Sequence, residues 1–469
     1  MTMKNLLALL AAILSISTLQ AQAFLGAHYT TKDAILSNTL NPAMGIAGDT
    51  KWQVNLFGFH TDLGNNYFAI KQLRGIATDF DKDNDIQQIL DGKRKTAHAT
   101  LGFTGPGGFV RIKQNNAIHF GVRGKAVATF NDLNEDFVYS LYNNFNEILE
   151  WLPAFKDERA SAAVNAYHEI YLGYSRSLNI GQRHSLHIGF TTKLITNVFN
   201  AQFVAQDLDF NKIVTSPTDS FINAGSSRFD FYLSDAIDDG FKYKFGINGV
   251  GFDAGVIYEF KRKDSKEHFV MAGISANDMG FNKYKLGSNS RSFIGNNKNI
   301  PADHLVTDDG ETINLDAILD TLGTKSIPTG SRKIKLPTTI NAFVDVRVAN
   351  MFFINTNFQF NPLSFKRGDA KANMPMNITV TPRFEHRIVS VYLPVNWNQY
   401  SGFNVGTGFR VGQFTFGSSS IITSFAKKQF TGIDLYLNVG FGKVAKNKKT
   451  KTPENTPEPA PVNSNATGG

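Results

Sequence analysis

No cysteine occurs among the 469 residues. That excludes a disulfide scaffold, a Cys-ligated zinc or iron–sulfur centre, a thiol nucleophile and a lipidated N-terminal cysteine. Charge is sparse as well. Asp, Glu, Lys and Arg make up 19% of the chain, below the ~25% usual in soluble domains. After the N-terminal stretch, no apolar run approaches the ~18 residues that mark a membrane helix. A basic stripe interleaved with stacking aromatics, the footprint of a nucleic-acid binder, is also missing. The net charge of +8 does not supply one. Lys4 lies near the N-terminus. Lys443, Lys446, Lys448, Lys449 and Lys451 lie near the C-terminus, against Glu454 and Glu458, and without these the balance is +4.

Catalytic and metal-binding patterns fail at defined positions. His168-Glu169 opens like the zinc motif H-E-x-x-H, but Leu172 stands where the second ligand belongs. Asp79, Asp81 and Asp83 begin like a calcium loop, yet Asn84 replaces the glycine and Leu90 the bidentate glutamate. No nucleophile elbow, P-loop or dinucleotide fingerprint is present. The expectation is a protein without catalytic residues, metal or cofactor, and without a nucleic-acid partner.

What the chain has in abundance is phenylalanine and glycine, 40 of each. Lys4, the apolar run from Leu6 to Ile16, and Ala21-Gln22-Ala23 have the order of a secretory signal peptide, over residues 1–23. Beyond residue 50 the dominant pattern is alternation with period two. In 184–199, Leu186, Ile188, Phe190 and Leu194 share one face, and Ser185, His187, Thr191 and Lys193 the other. The same holds for Phe352–Phe360, Met376–Phe384, Phe403–Val411 and Ile433–Phe441.

One apolar and one polar face suits a sandwich strand and a membrane strand alike. Length and connections decide between them. The runs reach the ~9–11 residues an outer-membrane strand needs. About fourteen are expected, near 52–71, 97–113, 117–130, 167–178, 184–199, 248–260, 267–279, 337–347, 351–361, 374–385, 388–396, 402–411, 413–424 and 430–441. Short turns alternate with long connections, four of them at 72–96, 131–166, 200–247 and 280–336. Short turns at one rim and long loops at the other are the signature of an outer-membrane β-barrel. The expected fold is therefore all-β: an antiparallel transmembrane barrel over 52–441, preceded by a luminal plug at 24–51 and followed by a disordered periplasmic tail at 442–469. Both ends of the exported chain are expected in the periplasm.

Three local features stand out against this frame. Gly105-Pro106-Gly107-Gly108 interrupts the second strand; proline lacks the N–H that a ladder needs, so a kink in the wall is expected there. Phe137, Leu141, Phe145, Ile148, Leu149, Leu152 and Phe155 recur at helical spacing, as do Ile313, Leu315, Ile318, Leu319 and Leu322. Among these, Phe137, Leu141, Phe145, Leu149, Leu152, Ile318 and Leu319 are candidates for an outer apolar site. Finally, the inward charges are of mixed sign: Arg123, Lys125, Lys193, Arg347, Arg383 and Arg410 against Glu169, Asp253, Glu259, Asp345 and Asp434. They suit pairing across the lumen or holding a plug rather than a one-sign selectivity ring.

Leu40-Asn41-Pro42-Ala43, between the signal peptide and the first strand, resembles the Asn-Pro-Ala plug element of the fatty-acid-transporter (FadL-like) outer-membrane barrels. Residues 249–260, 268–280 and 409–418 are similar to exported barrels of unknown function in that broader group. The resemblance implies fourteen strands, a plug formed by the mature N-terminus with Asn41, Pro42 and Ala43 as its motif, and an apolar extracellular groove. It implies Gram-negative outer-membrane lipid as surroundings and a hydrophobic small molecule as ligand, passing inward without covalent chemistry. Relatives in the group also serve protein secretion, so a non-transporting component of a secretion or assembly system is the alternative. The classical transporters end on the last aromatic strand residue. Here 28 residues follow Phe441, which implies a periplasmic protein contact.

Overall fold

The computed structural model describes residues 26–71, 86–135, 155–214, 220–223, 225–238, 241–263, 265, 267–301, 320–362 and 372–445. Fourteen antiparallel strands close into a barrel. The first seven are β1 (Thr50–Asn65), β2 (Lys95–Ile112), β3 (Asn116–Leu133), β4 (Phe155–Asn179), β5 (His184–Val214), β6 (Gly249–Lys261) and β7 (His268–Lys285). The next three are β8 (Thr339–Ala349), β9 (Phe352–Phe360) and β10 (Asn377–Glu385). Two strands follow in two pieces each, β11 (Val389–Tyr392 and Val395–Asn398) and β12 (Gly402–Val405 and Thr407–Val411). β13 (Phe414–Ser418) and β14 (Gly432–Val444) complete the wall. Each neighbours the next in sequence, and β14 returns to pair with β1 from Thr50↔Val444 to Gly64↔Gly432. Closure removes the free edges that an open sheet would present to lipid.

The alternation sorts the wall into two faces. On β5, Ile188, Phe190 and Leu194 are exposed on the outside, while His187, Thr191 and Lys193 are buried within. Phe352, Ile354 and Phe358 on β9, Phe409 and Val411 on β12, and Phe414 and Phe416 on β13 continue the outer belt. A closed barrel wearing large apolar side chains outside and amides, hydroxyls and charges inside is built for lipid. The short connections 113–115, 180–183, 350–351, 386–388 and 412–413 lie at one rim, with the start of β1 and the end of β14.

Several strand boundaries differ from those expected. β1 ends at Asn65, and Phe68–Lys71 belongs to a separate three-stranded sheet. Strand occupies 131–133 and 155–166 of the connection expected at 131–166, and 200–214, 220–223 and 228–233 of that expected at 200–247. β4 and β5 run 25 and 31 residues and project past the lipid belt, where β5 also pairs with Arg228–Leu233. Backbone donors in so long a segment need partners, and continuing the hairpin provides them. β14 continues to Val444 rather than stopping at Phe441. β13 was expected over 413–424 but stops at Ser418, and Ile421–Ala426 is helical. The Asp434 carboxylate accepts from the Ser418 hydroxyl at 3.0 Å, from the Ser419 N–H, and from the Ser420 hydroxyl. Serine hydroxyls drawn to one carboxylate take the backbone out of the ladder.

Candidate functional site in the barrel lumen

Residues 26–49 lie inside the barrel, nearly all of them buried. Their local shape comes from short polar side chains. Asp33 caps the helix Ala34–Ser37 by accepting from the Leu36 N–H at 2.9 Å. Asn41 accepts from the Ala43 N–H at 2.9 Å and turns the chain at Pro42. The same Asn41 amide donates outward to the carbonyls of Ile274 on β7 (3.1 Å) and Val256 on β6 (3.4 Å). Ser275 and Asn277 of β7 donate to the Leu40 carbonyl at 2.6 and 2.7 Å. Leu40, Ala43 and Met44 then pack on Ile257, Met271 and Phe343 of the wall.

The Asn-Pro-Ala element fits because two wall glycines leave room. A Cβ on Gly189 would stand 2.3 Å from the Pro42 carbonyl carbon and 2.4 Å from the Ala43 nitrogen. One on Gly255 would stand 2.1 Å from the Asn41 side-chain oxygen. Nearer the short-turn rim, Glu385 accepts from the Thr30 hydroxyl (2.9 Å) and the Thr31 N–H (2.8 Å). Arg383 holds Glu385 at 2.7 Å and also engages Asp345, which His268 reaches at 2.6 Å. Arg111 donates to the Gly48 carbonyl, and Lys32 pairs with Asp49.

Charge in this segment is tuned by burial. Desolvation pushes the Lys32 ammonium down, but Asp49 and Glu385 outweigh it and the net shift is upward. Burial raises the Asp33 carboxyl against the hydrogen bonds it accepts from Leu36 and Gln53. His28 is pushed down to about 3 by burial, so docked His28 is neutral. An undocked His28 takes up a proton near its ordinary 6.5. Its contribution to docking is therefore complete above that value and lost as pH falls toward 3, by ~2 kcal/mol at about pH 5. Asp33, with its raised value, acts in the opposite sense, so the test must isolate His28. Proteolysis within 26–49 should accelerate on acidification from about pH 7 to about pH 5. His28→Gln should lack that component of the acceleration.

Above the docked segment five of the expected inward charges, Arg123, Lys125, Lys193, Glu169 and Asp253, form one cluster, while Glu259 pairs apart from it with His187 and Lys261. Lys193 pairs with Asp253 at 2.6 Å, Lys125 with Asp278 at 3.0 Å, and Arg123 with Glu169 at 3.3 Å. Lys125 also reaches Glu169 at 3.4 Å, and the Arg123 guanidinium lies 4.0 Å from the centre of the Tyr171 ring. Three cations thus meet three carboxylates, a neutral balance rather than a ring of one sign. Asp278, absent from the expected set, is central to it. It sits in a bulge of β7 with φ 54°, a left-handed conformation that costs a non-glycine residue energy. Arg410, expected among the paired charges, instead donates to Ser390 and to the carbonyls of His386 and Gly412. Arg347 lies at the short-turn rim, near Glu267 and Ser265.

Between segment and cluster lies a cavity, part of it continuous with solvent. His28, Tyr29, Thr39 and Leu40 line it from the segment. Arg123, Lys125, Lys193 and Asp278 line it from the cluster, and Thr100, Thr104, Val127, Asn341 and Asn357 from the wall. Met374 joins from residues 372–376, where Asn373 is tied to Thr129 on β3.

Thr104 is also the last residue before the Gly105-Pro106 interruption. The pairing of β2 with β3 passes from Thr104↔Arg123 to Gly107↔Gly121, two residues against one. Toward β1 it passes from Gly58↔Thr104 to Asn55↔Gly107, leaving Gly105 and Pro106 without ladder partners. Gly107 and Gly108 are paired on both sides. The Asn55 amide donates to the Gly105 carbonyl at 3.3 Å. A bulge of this kind reverses the alternation. Before it, His98, Thr100 and Thr104 are buried within; after it, Phe109 is buried within while Val110 and Ile112 face out. Phe109 packs on Ala34, Ile35 and Ile46 of the luminal segment.

The candidates Phe137, Leu141, Phe145, Leu149, Leu152, Ile318 and Leu319 lie outside the described residues, as do the expected signal peptide and the chain beyond Ala445. Leu322 is described and buried.

A closed fourteen-strand barrel with an apolar outer belt and its own N-terminal segment in the lumen is an outer-membrane β-barrel. The chain belongs to a family of unknown function, DUF5723, whose profile matches residues 42–418. Among solved structures it is similar to a Pseudomonas aeruginosa FadL homologue, at 11% identity over 88% of this chain and 95% of that one, with TM-score 0.42. It is similar to the Ralstonia pickettii toluene transporter TbuX at 8% identity, over 91% and 99%, with TM-score 0.40. A TodX monoaromatic hydrocarbon channel carrying a deltaS2S3 mutation gives 8% identity, over 87% and 94%, with TM-score 0.44. No curated protein matches the sequence.

Proposed function

We propose that this barrel passes a hydrophobic small molecule inward across the outer membrane, with residues 26–49 as a plug. The observation that carries the reading is the luminal cavity, which meets the wall at Thr104, one residue before the bulge at Gly105-Pro106. A molecule held over Tyr29 and Leu40 has a route sideways through the wall at the point where the ladder lacks partners. The plug blocks the axial route, so the cavity and the bulge define the path. The chemistry is binding and release, with no covalent step.

Thr104→Trp places an indole between cavity and bulge. Uptake of an apolar fluorescent probe into vesicles carrying the refolded barrel should fall severalfold. The heat-modifiable gel shift of the folded barrel should be unchanged. Unaltered uptake by a folded Thr104→Trp barrel would reject this path. A native barrel that neither retains nor passes any apolar probe would favour the secretion or assembly component instead.

A further inference from the structure

Above the lipid belt, the outer face of the barrel changes chemistry along one arc. The outward side chains of β7 run from Ile274 in the belt to Phe281, Lys283 and Lys285 beyond the bulge. The strand Ser331–Lys335 pairs beside them with Phe281↔Lys335 and Lys283↔Lys333, so Lys333 and Lys335 share that face. All four lysines are exposed. Among the described residues none of the four has a carboxylate partner. The Lys333 ammonium lies 4.6 Å from the centre of the Phe281 ring.

Directly alongside runs an extended segment, 241–248, that belongs to no strand. Asn248 fixes one end of it. Its N–H donates to the Ile195 carbonyl of β5 at 2.7 Å, and its carbonyl accepts from the Lys283 N–H at 3.0 Å. Farther back, the Tyr243 ring meets His168 on the outside of β4 edge-on, at 5.7 Å. The segment therefore lies against the outside of the wall from β7 toward β4. Its alternate residues Phe241, Tyr243, Phe245 and Ile247 are 61%, 45%, 73% and 63% exposed. Lys242 and Lys244 stand between them, and Lys244 pairs with Asp235 at 3.6 Å.

We propose that this arc binds a phosphorylated, multiply acylated glycolipid of the outer leaflet. Lys283, Lys285, Lys333 and Lys335 take the phosphates, while Phe245 and Ile247 lie among the acyl chains. Four exposed ammoniums gathered on one face, with no carboxylate partner among the described residues, call for an anionic partner. Large side chains this exposed at the edge of the lipid belt call for an apolar one, as aromatic residues do at membrane interfaces. A free phosphate meets only the first requirement. The arc lies on the side of the long connections, which faces the cell exterior in such barrels.

The test uses the full chain refolded in phosphatidylcholine vesicles doped with diphosphorylated lipid A or with its dephosphorylated form. Lipid retained per barrel is measured after transfer to mild detergent. The phosphorylated form should be retained and the dephosphorylated form lost. Replacing all four lysines by Lys283→Gln, Lys285→Gln, Lys333→Gln and Lys335→Gln should weaken retention by about a hundredfold, more at low salt. Phe245→Ser with Ile247→Ser should weaken it with the lysines intact, and excess inorganic phosphate should not displace the lipid. Equal retention of both lipid forms, or full retention by the heat-modifiable four-lysine variant, overturns the proposal. Full displacement by inorganic phosphate reduces the arc to a free-anion site and overturns it too. Should the four-lysine variant fail to fold, the comparison of the two lipid forms on the unaltered chain decides.

Discussion

Replacing Gly189 with valine should expel the N-terminal segment from the lumen and convert a closed barrel into a conducting one. The added Cβ would stand 2.3 and 2.4 Å from backbone atoms of Pro42 and Ala43. Backbone cannot rotate out of the way as a side-chain tip can, so either the wall strand or the segment must move. β5 is held by continuous backbone ladders to β4 and β6 along its length, whereas the segment is held by separate side-chain bonds and packing contacts. Overpacking costs ~1–3 kcal/mol at a typical core site, and a clash with backbone lies at or beyond the top of that range. The displaced segment also forfeits the bonds from Asn41 to β6 and β7 and from Ser275 to Leu40, each worth ~1 kcal/mol. Conductance across a planar bilayer should rise from near zero to that of a barrel lacking residues 26–49. Heat-modifiable migration should persist, since the closing ladder is not touched. Asn41→Ala, which removes the two hydrogen bonds to the wall and the one from the Ala43 N–H without adding bulk, should give intermittent openings. A folded Gly189→Val barrel that stays closed would show that the notch is not what seats the segment.

The strands were legible because lipid outside and a polar lumen inside impose opposite demands on alternate residues. Asn41-Pro42-Ala43 was legible as a motif, but its receptors were not. Gly189 and Gly255 look like any of the other glycines until the register places them behind it. Asp278 was hidden by the same logic. Counted by alternation from Ile274 and Ala276 it belongs to the lipid face, and only the bulge at 277–278 brings its carboxylate to Lys125 and Lys193. The end of β13 was misjudged because Phe414, Phe416 and Ser418 keep strand spacing. What ends the strand is Asp434, on the far side of a helix and a turn. The lysines beside β7 carried no signal either, because Lys283 and Lys333 are fifty residues apart in sequence and meet only through pairing. In each case the missing information is register, which a single bulge alters by one residue and which side-chain chemistry does not announce.

Deleting Pro106 should therefore do more damage than any single side-chain replacement in the wall. Without the bulge, β2 would alternate uniformly. A one-residue slip turns every side chain on one side of it to the opposite face. If the portion after the bulge flips, Phe109 leaves Ala34, Ile35 and Ile46 and turns to lipid, while Val110 and Ile112 turn inward. Losing a buried phenylalanine from such a contact costs ~3–5 kcal/mol. Arg111 would leave the carbonyls of Gly48 and Thr50 for the lipid face, at a further cost of up to ~2–4 kcal/mol toward the bilayer midplane and less near its edge. If the portion before the bulge flips instead, His98, Thr100 and Thr104 leave the lumen, and His98 loses Asp62. Either outcome exceeds what a marginally stable barrel can absorb, so the heat-modifiable band should disappear. Pro106→Ala keeps the residue count and hence the alternation, and Asn55 still meets the Gly105 carbonyl. That variant should fold with residues 26–49 protected from protease. The pair of variants separates the two roles of the bulge. A folded, segment-protected barrel after deletion would show that the reversal is not required for assembly. A Pro106→Ala barrel that regains ladder bonds at 105–106, as read by slowed amide exchange there, and still takes up apolar probe at the original rate would place the exit elsewhere in the wall.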